Sequence, residues 1–510
     1  MGNMRISMPS SRNFHEKSPG VFISRASLIA QTPEEELEAD KILQLASGEY
    51  GVYYDPSNEA NLCRGKIAEW QWALVHLSCC FSTLLAGYDA SSLAVAQVLI
   101  FDAFPNVQLL FCVAAASSLG CCCSAPLLRH FMDMVDLRRF RVSSALLFLT
   151  GSMVAGTATK VEVLITGRVL AGVAIGGLQI LMTYNTLLAT PRELSRLHLV
   201  SAISYAIGLV LGVSTIVVFT IWRWVFFLGG IMAAIVAVLS AISYPSVTIQ
   251  LEDKMLRAMA DIDWVGAITQ ALTFVSFDAA FLLSGSRWAW DSVQVVSIWA
   301  AVVVLFTLSF LQHGYGFWIP GDRILPLGIL QTRIGLGSLF VVGATASSLS
   351  VMLYGIALFC AFARGEGAKH IAVYLLPALA CFGVAPVPLW GYMCQCWIGR
   401  IGVDLGAYLF QHRHWSLVST WLFFGAESTL SVAVLETSLP SRLRNGVSVC
   451  LVSIARAFTT LPLAPSGCIY LNRGYHNLLE AAGDLQVPNA EVQQALAGLR
   501  SPLLSTHLKF

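Results

Sequence analysis

Residues 165–182 read I-T-G-R-V-L-A-G-V-A-I-G-G-L-Q-I-L-M and place one arginine, Arg168, inside a long apolar run. Arg168, Gly172 and Gly176 recur every fourth residue and so share one face of a helix. The next apolar run repeats the device with Ser204, Gly208 and Gly212. Small residues at this spacing let helices approach closely in lipid, where packing rather than hydrophobicity drives association. The two neighbouring helices are therefore expected to pack backbone against backbone. An ionisable side chain at membrane depth is costly and normally faces a bundle interior or a wet cavity, which makes Arg168 a candidate functional residue. A second reading stays open, in which Arg168 snorkels from a helix end to the headgroups.

The composition extends this reading to the whole chain. Charged residues make up 12% and apolar residues 56%, with a mean hydropathy of +0.69, whereas a soluble domain carries roughly 25% charged residues. A span needs roughly 20 apolar residues to cross about 30 Å of hydrocarbon. Twelve runs qualify, near 71–88, 107–127, 142–159, 163–189, 199–219, 224–244, 264–284, 293–313, 334–362, 371–394, 415–434 and 447–466. They lack the period-two alternation of a membrane barrel. The chain is expected to be an all-α polytopic membrane protein with about twelve transmembrane helices.

A net charge of +1 and the absence of a basic block interleaved with aromatics argue against a nucleic-acid partner. Most of the thirteen cysteines sit inside runs and read as small packing residues. Cys394 and Cys396 lack the C-x-x-C spacing of a zinc site. No metal, cofactor or disulfide framework is expected. The first seventy residues are polar, carry the acidic cluster Glu34, Glu35, Glu36, Glu38 and Asp40, and lack the apolar core of a cleavable signal. They are expected to be a disordered cytoplasmic tail.

Positive charges collect in cytoplasmic loops. Arg129, Arg138, Arg139 and Arg141 lie between the second and third runs, Arg192 and Arg196 between the fourth and fifth, and Lys254 and Arg257 between the sixth and seventh. The segment from Asp89 to Asn106, taken as the loop after the first run, has no Lys or Arg. The amino terminus is therefore expected in the cytoplasm. Arg442 and Arg444 break the alternation, so either a span is missing from the carboxyl half or a half-length segment such as 402–410 enters without crossing.

Several ordered motifs carry a resemblance: L-L-A-G-Y-D-A-S-S ending the first run, R-H-F-M-D-M-V-D-L-R-R-F at 129–140, G-R-V-L-A-G-V-A-I-G-G at 167–177, and G-L-V-L-G followed by W-R-W-V-F. Later come D-W-V-G, S-R-W-A-W-D-S, R-I-L-P-L and Y-L-L-P. Together they resemble the major facilitator superfamily, and within it the fungal fourteen-span drug:proton antiporters that accompany toxin and secondary-metabolite pathways. The likeness covers roughly residues 70–500. It implies a fold of two helical bundles plus a linker pair: a tail at 1–69, an amino-terminal six-helix bundle at 70–245, a linker with two helices at 246–333, an incomplete carboxyl-terminal bundle at 334–466, and a tail at 467–510. It also implies a multi-pass protein of the plasma membrane, or of the vacuolar membrane.

The departures are specific. Arg129 and Asp136 replace two glycines of the loop signature, and Gly212 is followed by V-S-T-I-V where the family has a proline and a glycine pair. Two of the family's fourteen spans lack a matching run, both in the second bundle, so weak activity or none is expected.

For a proton path, the resemblance and its place near a run's end favour Asp89, with a helix-end carboxylate as the rival reading. Asp278 sits deeper in its run, but in the linker pair, where a transport role is less expected. Glu427 and Arg456, in neighbouring runs, read first as a self-neutralising pair and second as part of the path. Asp133 and Arg138 fit a cytoplasmic gate, against plain anchoring by Arg138, Arg139 and Arg141. Trp222, Trp224, Trp288 and Trp290 fit an interfacial belt.

The expected function is export of a small amphipathic organic molecule, such as a toxin, drug or secondary metabolite, in exchange for protons. Two competitors are a siderophore-type iron-chelate carrier and a transport-inactive membrane protein that only binds partners. A membrane enzyme finds no support from H-E-x-x-H or G-x-S-x-G.

Overall fold

The computed structural model of the chain describes residues 68–104, 107–188, 191–219, 221–244, 262–284, 288–315, 333–363, 367–384, 452–469 and 472. Most of the two tails, the run at 415–434 with Glu427, the 402–410 segment, Arg442, Arg444 and the side chain of Asp133 lie outside the described residues. The helices are α1 (Glu69–Ala103), α2 (Val107–Met134), α3 (Leu137–Gly156), α4 (Val161–Leu188), α5 (Pro191–Val218), α6 (Arg223–Ser243), α7 (Trp264–Leu283), α8 (Val293–Tyr315), α9 (Arg333–Ala363) and α10 (Ala368–Val384). A further helical stretch covers 452–469. Eleven of the twelve apolar runs thus coincide with helix. Among the described residues, eight helices are long and apolar enough to cross a membrane.

The first helix departs most from expectation. The run at 71–88 had been cut at Asp89, yet α1 continues through A-S-S-L-A-V-A-Q-V-L-I-F to Ala103 for 35 residues. At about 1.5 Å per residue, that is roughly 50 Å, longer than the hydrocarbon layer. Asp89 is therefore a mid-helix residue, and residues 89–103 are not loop. A carboxylate that finds a partner inside the protein interrupts hydropathy without interrupting the helix.

Many hydroxyls inside the helices are satisfied by the helix's own carbonyls. Ser82 donates to the Ser78 carbonyl at 2.8 Å, Ser204 to Val200 at 2.8 Å and Thr215 to Leu211 at 2.8 Å, so these hydroxyls add little cost in a span. Asp263 caps α7, accepting from the Gly266 amide at 2.7 Å.

Helices α1 to α6 form one group: α1 lies along α5 and α6, α2 along α4, and α3 along α4 and α6. In the second group α9 packs with α10. Ser347 and Ser350 of α9 donate to the carbonyls of Phe458 at 2.7 Å and Thr459 at 3.2 Å, which ties in the 452–469 stretch. The groups meet where α10 lies along α5 and α1, and α9 along α1. There Leu93, Leu209 and Val213 share one apolar core with Leu353, Ala357, Ile371 and Leu375. Helices α7 and α8 pair with each other and join the first group through α2. Ile231, Val238, Val303, Phe306 and Phe310 point outward from α6 and α8, as side chains that meet lipid must.

The glycine stripes pack closely, but not against one another. A Cβ on Gly172 would collide with the Ser117 carbonyl of α2, and one on Gly208 with the Leu84 carbonyl of α1. A Cβ on Gly212 would sit 2.7 Å from the Tyr88 carbonyl oxygen, while Gly176 faces Cys121, Ser124 and Leu128 at an ordinary 3.4 Å. The seams are α4 on α2 and α5 on α1, correcting the expected α4–α5 pair. A stripe of small residues fixes how closely a partner comes and carries no label for which helix it is.

Candidate site: a buried ion pair at the junction of the helix groups

Asp89 and Arg168 are brought together from α1 and α4. Arg168 Nη1 donates to Asp89 Oδ1, and Nη2 to Oδ2 at 3.4 Å. Ser117 Oγ of α2 donates to the same Oδ2 at 3.0 Å. Both charges are buried, at 5% and 4% exposure. This rules out the snorkelling reading of Arg168 and the helix-end reading of Asp89. An isolated charge could not be kept at this depth, whereas a paired, hydrogen-bonded one can. The Nε of Arg168 has no hydrogen-bond partner among the described residues.

The glycine seams explain how three helices reach one carboxylate. Gly172 sits against Ser117 and Gly120 against Val169, drawing α2 onto α4 beside Arg168. Gly87, Gly208 and Gly212 draw α5 onto α1 on either side of Asp89. The Tyr88 hydroxyl donates to the Val225 carbonyl at 2.8 Å, which fixes the next residue of α1 against α6.

The second helix group completes the surroundings. Tyr354 of α9 lies close enough to Asp89 and Arg168 to feel both charges. Arg456, on the 452–469 stretch, lies near Cys121 of α2 and Tyr205 of α5. Arg456 and Asp89 thus share Cys121 and Tyr205 as neighbours. The expected partner of Arg456, Glu427, lies outside the described residues. The buried pair lies in the first helix group, with Tyr354 of the second beside it.

Elsewhere the expectations fare unevenly. Arg138 is exposed in the first turn of α3, and its amide donates to Asp136 Oδ1 at 3.4 Å. Asp136, noted in the sequence only as a lost glycine, caps α3 and pairs with Arg139 at 3.9 Å. Trp222 is buried, against Phe104 and Phe226 and under Arg223, and so is not a belt residue. Trp224 and Trp290 are exposed, as a belt requires.

Arg141 had been grouped with the anchoring arginines, and the structure corrects this. It is fully buried at the start of α3. Its Nη2 donates to Ser82 Oγ at 2.7 Å and the Ser78 carbonyl at 2.9 Å, its Nε donates to Ser240 Oγ at 3.0 Å, and the guanidinium stacks 4.9 Å from the Tyr244 ring. The Tyr244 hydroxyl in turn donates to Asn185 Oδ1 at 3.0 Å. The signal was present as serines spaced four apart at 78 and 82, opposite Ser240. A charge count over the loop hid it.

Residues 75–373 match the family described as the fungal trichothecene efflux pump (TRI12). The chain belongs to this efflux pump family. "Efflux pump patC" of Aspergillus clavatus is 25% identical over 464 residues, covering 85% of this chain and 83% of that protein. "MFS-type transporter patC" of Penicillium expansum is 24% identical, covering 86% and 84%. The "Phomenoic acid biosynthesis cluster MFS-type transporter" of Leptosphaeria maculans is 27% identical over 320 residues, covering 62% and 51%. Among solved structures, the human organic anion transporter MFSD10 aligns with a TM-score of 0.52 at 12% identity, over 84% of this chain and 97% of that one. A D-xylose-proton symporter aligns at 0.50 and 14% identity, over 86% and 98%. These two show the fold alone, and with the family match and the eight membrane-length helices among the described residues the chain is a multi-pass membrane protein of the helical major-facilitator fold. As an efflux pump family member it is a transporter.

Proposed function

We propose that this family member is a proton-coupled exporter of a small organic metabolite, acting in the plasma membrane, with Asp89 as its proton-binding acid. The observation that carries the reading is the buried Asp89–Arg168 pair where the first helix group meets α9. A proton arriving at a carboxylate Oδ of Asp89 removes its charge and weakens both Arg168 bonds. Arg168 then carries a charge that Asp89 no longer neutralises, with the Arg456 guanidinium close by across Cys121 and Tyr205, which favours separation of the helix groups. Loss of that proton on the other side restores the pair and draws the groups together. This is the two-state element that rocking-bundle transport requires. The Nε of Arg168 offers a substrate oxygen one donor that the ion pair does not use. The class of substrate follows from the family description and from the relatives' names.

The test is uptake of a radiolabelled panel of small fungal metabolites into inverted plasma-membrane vesicles, acid inside, from cells with and without the chain. Uptake that depends on the chain and collapses with a protonophore supports the reading. Uptake that survives the protonophore overturns the proton coupling.

A further inference from the structure

A second buried acid lies outside this centre. Asp278, in α7, is 3% exposed, and neither carboxylate oxygen has a hydrogen-bond partner among the described residues. Among the described residues, the titratable groups that face it are Cys112, Cys122 and Cys123 of α2, and no charged side chain adds appreciably to its environment. Asp89 is paired with Arg168 and accepts from Ser117, whereas neither oxygen of Asp278 has such a partner among the described residues. Burying a charged carboxylate without a partner is costly.

The position of α7 ties that proton to movement. On one side α7 lies on α2, with Cys123 Sγ donating to the Ala271 carbonyl at 3.8 Å. At its end, six residues beyond Asp278, the Ser284 carbonyl accepts from Cys468 Sγ at 3.6 Å and from Asn472 Nδ2 at 3.4 Å. Residue 468 belongs to the 452–469 stretch of the second helix group. Helix α7 is thus seated on the first group and tethered at its tip to the second. If the groups rock, the tether pulls on the segment that carries Asp278.

We propose that Asp278 is a second proton-binding site, holding its proton while α7 is seated on α2 and releasing it when the second helix group draws α7 away. The inference rests on the transport reading for its motion, but proton binding itself can be read without any transported substrate. The acid dissociates to a carboxylate plus a proton delivered to water entering the opened α2–α7 seam, so no further reactant is needed.

The experiment is infrared difference spectroscopy of the full chain in lipid, titrated from acid to alkaline, for wild type, Asp278→Asn and Asp89→Asn. A protonated-carboxyl carbonyl band should appear in wild type, persist in Asp89→Asn, vanish in Asp278→Asn and fade as the solution becomes alkaline. Dicyclohexylcarbodiimide, which modifies protonated carboxyls in apolar surroundings, should label residue 278, as read by mass spectrometry. Asn has the shape of the neutral acid, so the variant should fold; the labelling of wild type stands even where it does not. Absence of the band, or a band that never titrates, overturns the proposal. Proton-driven transport that fails in wild type would sink the transport reading alone, and the titration would still decide whether Asp278 binds a proton.

Discussion

Neutralising either partner of the Asp89–Arg168 pair should destabilise the protein, and neutralising both should not. In Asp89→Asn, Arg168 loses its only acidic partner among the described residues, and a guanidinium cannot shed its charge. Breaking a buried pair in this way costs about 3–5 kcal/mol. The lower end applies because the Asn carbonyl still accepts one bond. Arg168→Met leaves Asp89 with the Ser117 hydroxyl at 3.0 Å and the option of binding a proton, so its cost should be smaller and should shrink further in acid. In Asp89→Asn/Arg168→Met no charge remains, and stability should return to within about 1 kcal/mol of wild type, since apolar or neutral replacements of buried pairs are often tolerated. The resulting coupling energy is more than about 2 kcal/mol. Detergent-solubilised protein, followed by thermal unfolding and by the monodisperse fraction on size exclusion, gives the four corners of the cycle. A double variant as unstable as Asp89→Asn would refute the claim that the two charges exist for each other.

Three further outcomes follow. Gly208→Val, whose first side-chain carbon lands on the Leu84 carbonyl, should cost about 1–3 kcal/mol or more by overpacking, while Gly337→Val, with open space around it, should leave the melting temperature unchanged. Asp263→Ala removes the cap of α7 and the acceptor of Gln312 Nε2 at 3.0 Å and should cost about 1–3 kcal/mol, read by the same unfolding assay. A cysteine placed at Arg139, whose side chain is 84% exposed, should react with a membrane-impermeant maleimide only after cells are opened; labelling of intact cells would invert the topology.

Much of the fold could be read from the sequence because a membrane demands long apolar helices, and eleven runs announced them. Asp89 and Arg168 stood out singly for the same reason: charge is rare at depth. Their union was not legible, since 79 residues separate them and nothing local in either helix names the other. The misreadings share a cause. Counting charges treated Asp89 as a helix end and Arg141 as a loop anchor, because hydropathy records the cost of a charge but not the partner that offsets it. Trp222 was misplaced in the same way, by nearness to a loop rather than by what packs on it. Asp278 was discounted for its place in the linker pair, although its burial without a partner is the feature that sets it apart.

The central claim is that Asp89 carries the exchanged proton, and one measurement bears on it most directly. Proteoliposomes holding wild type or Asp89→Asn, loaded with a pH-sensitive dye and supplied with a metabolite shown to be a substrate, report proton movement and substrate movement together. Wild type should move protons against substrate. Asp89→Asn should still exchange labelled for unlabelled substrate, but without proton movement and without response to an imposed pH gradient. Gradient-driven transport by Asp89→Asn at the wild-type rate would contradict the account.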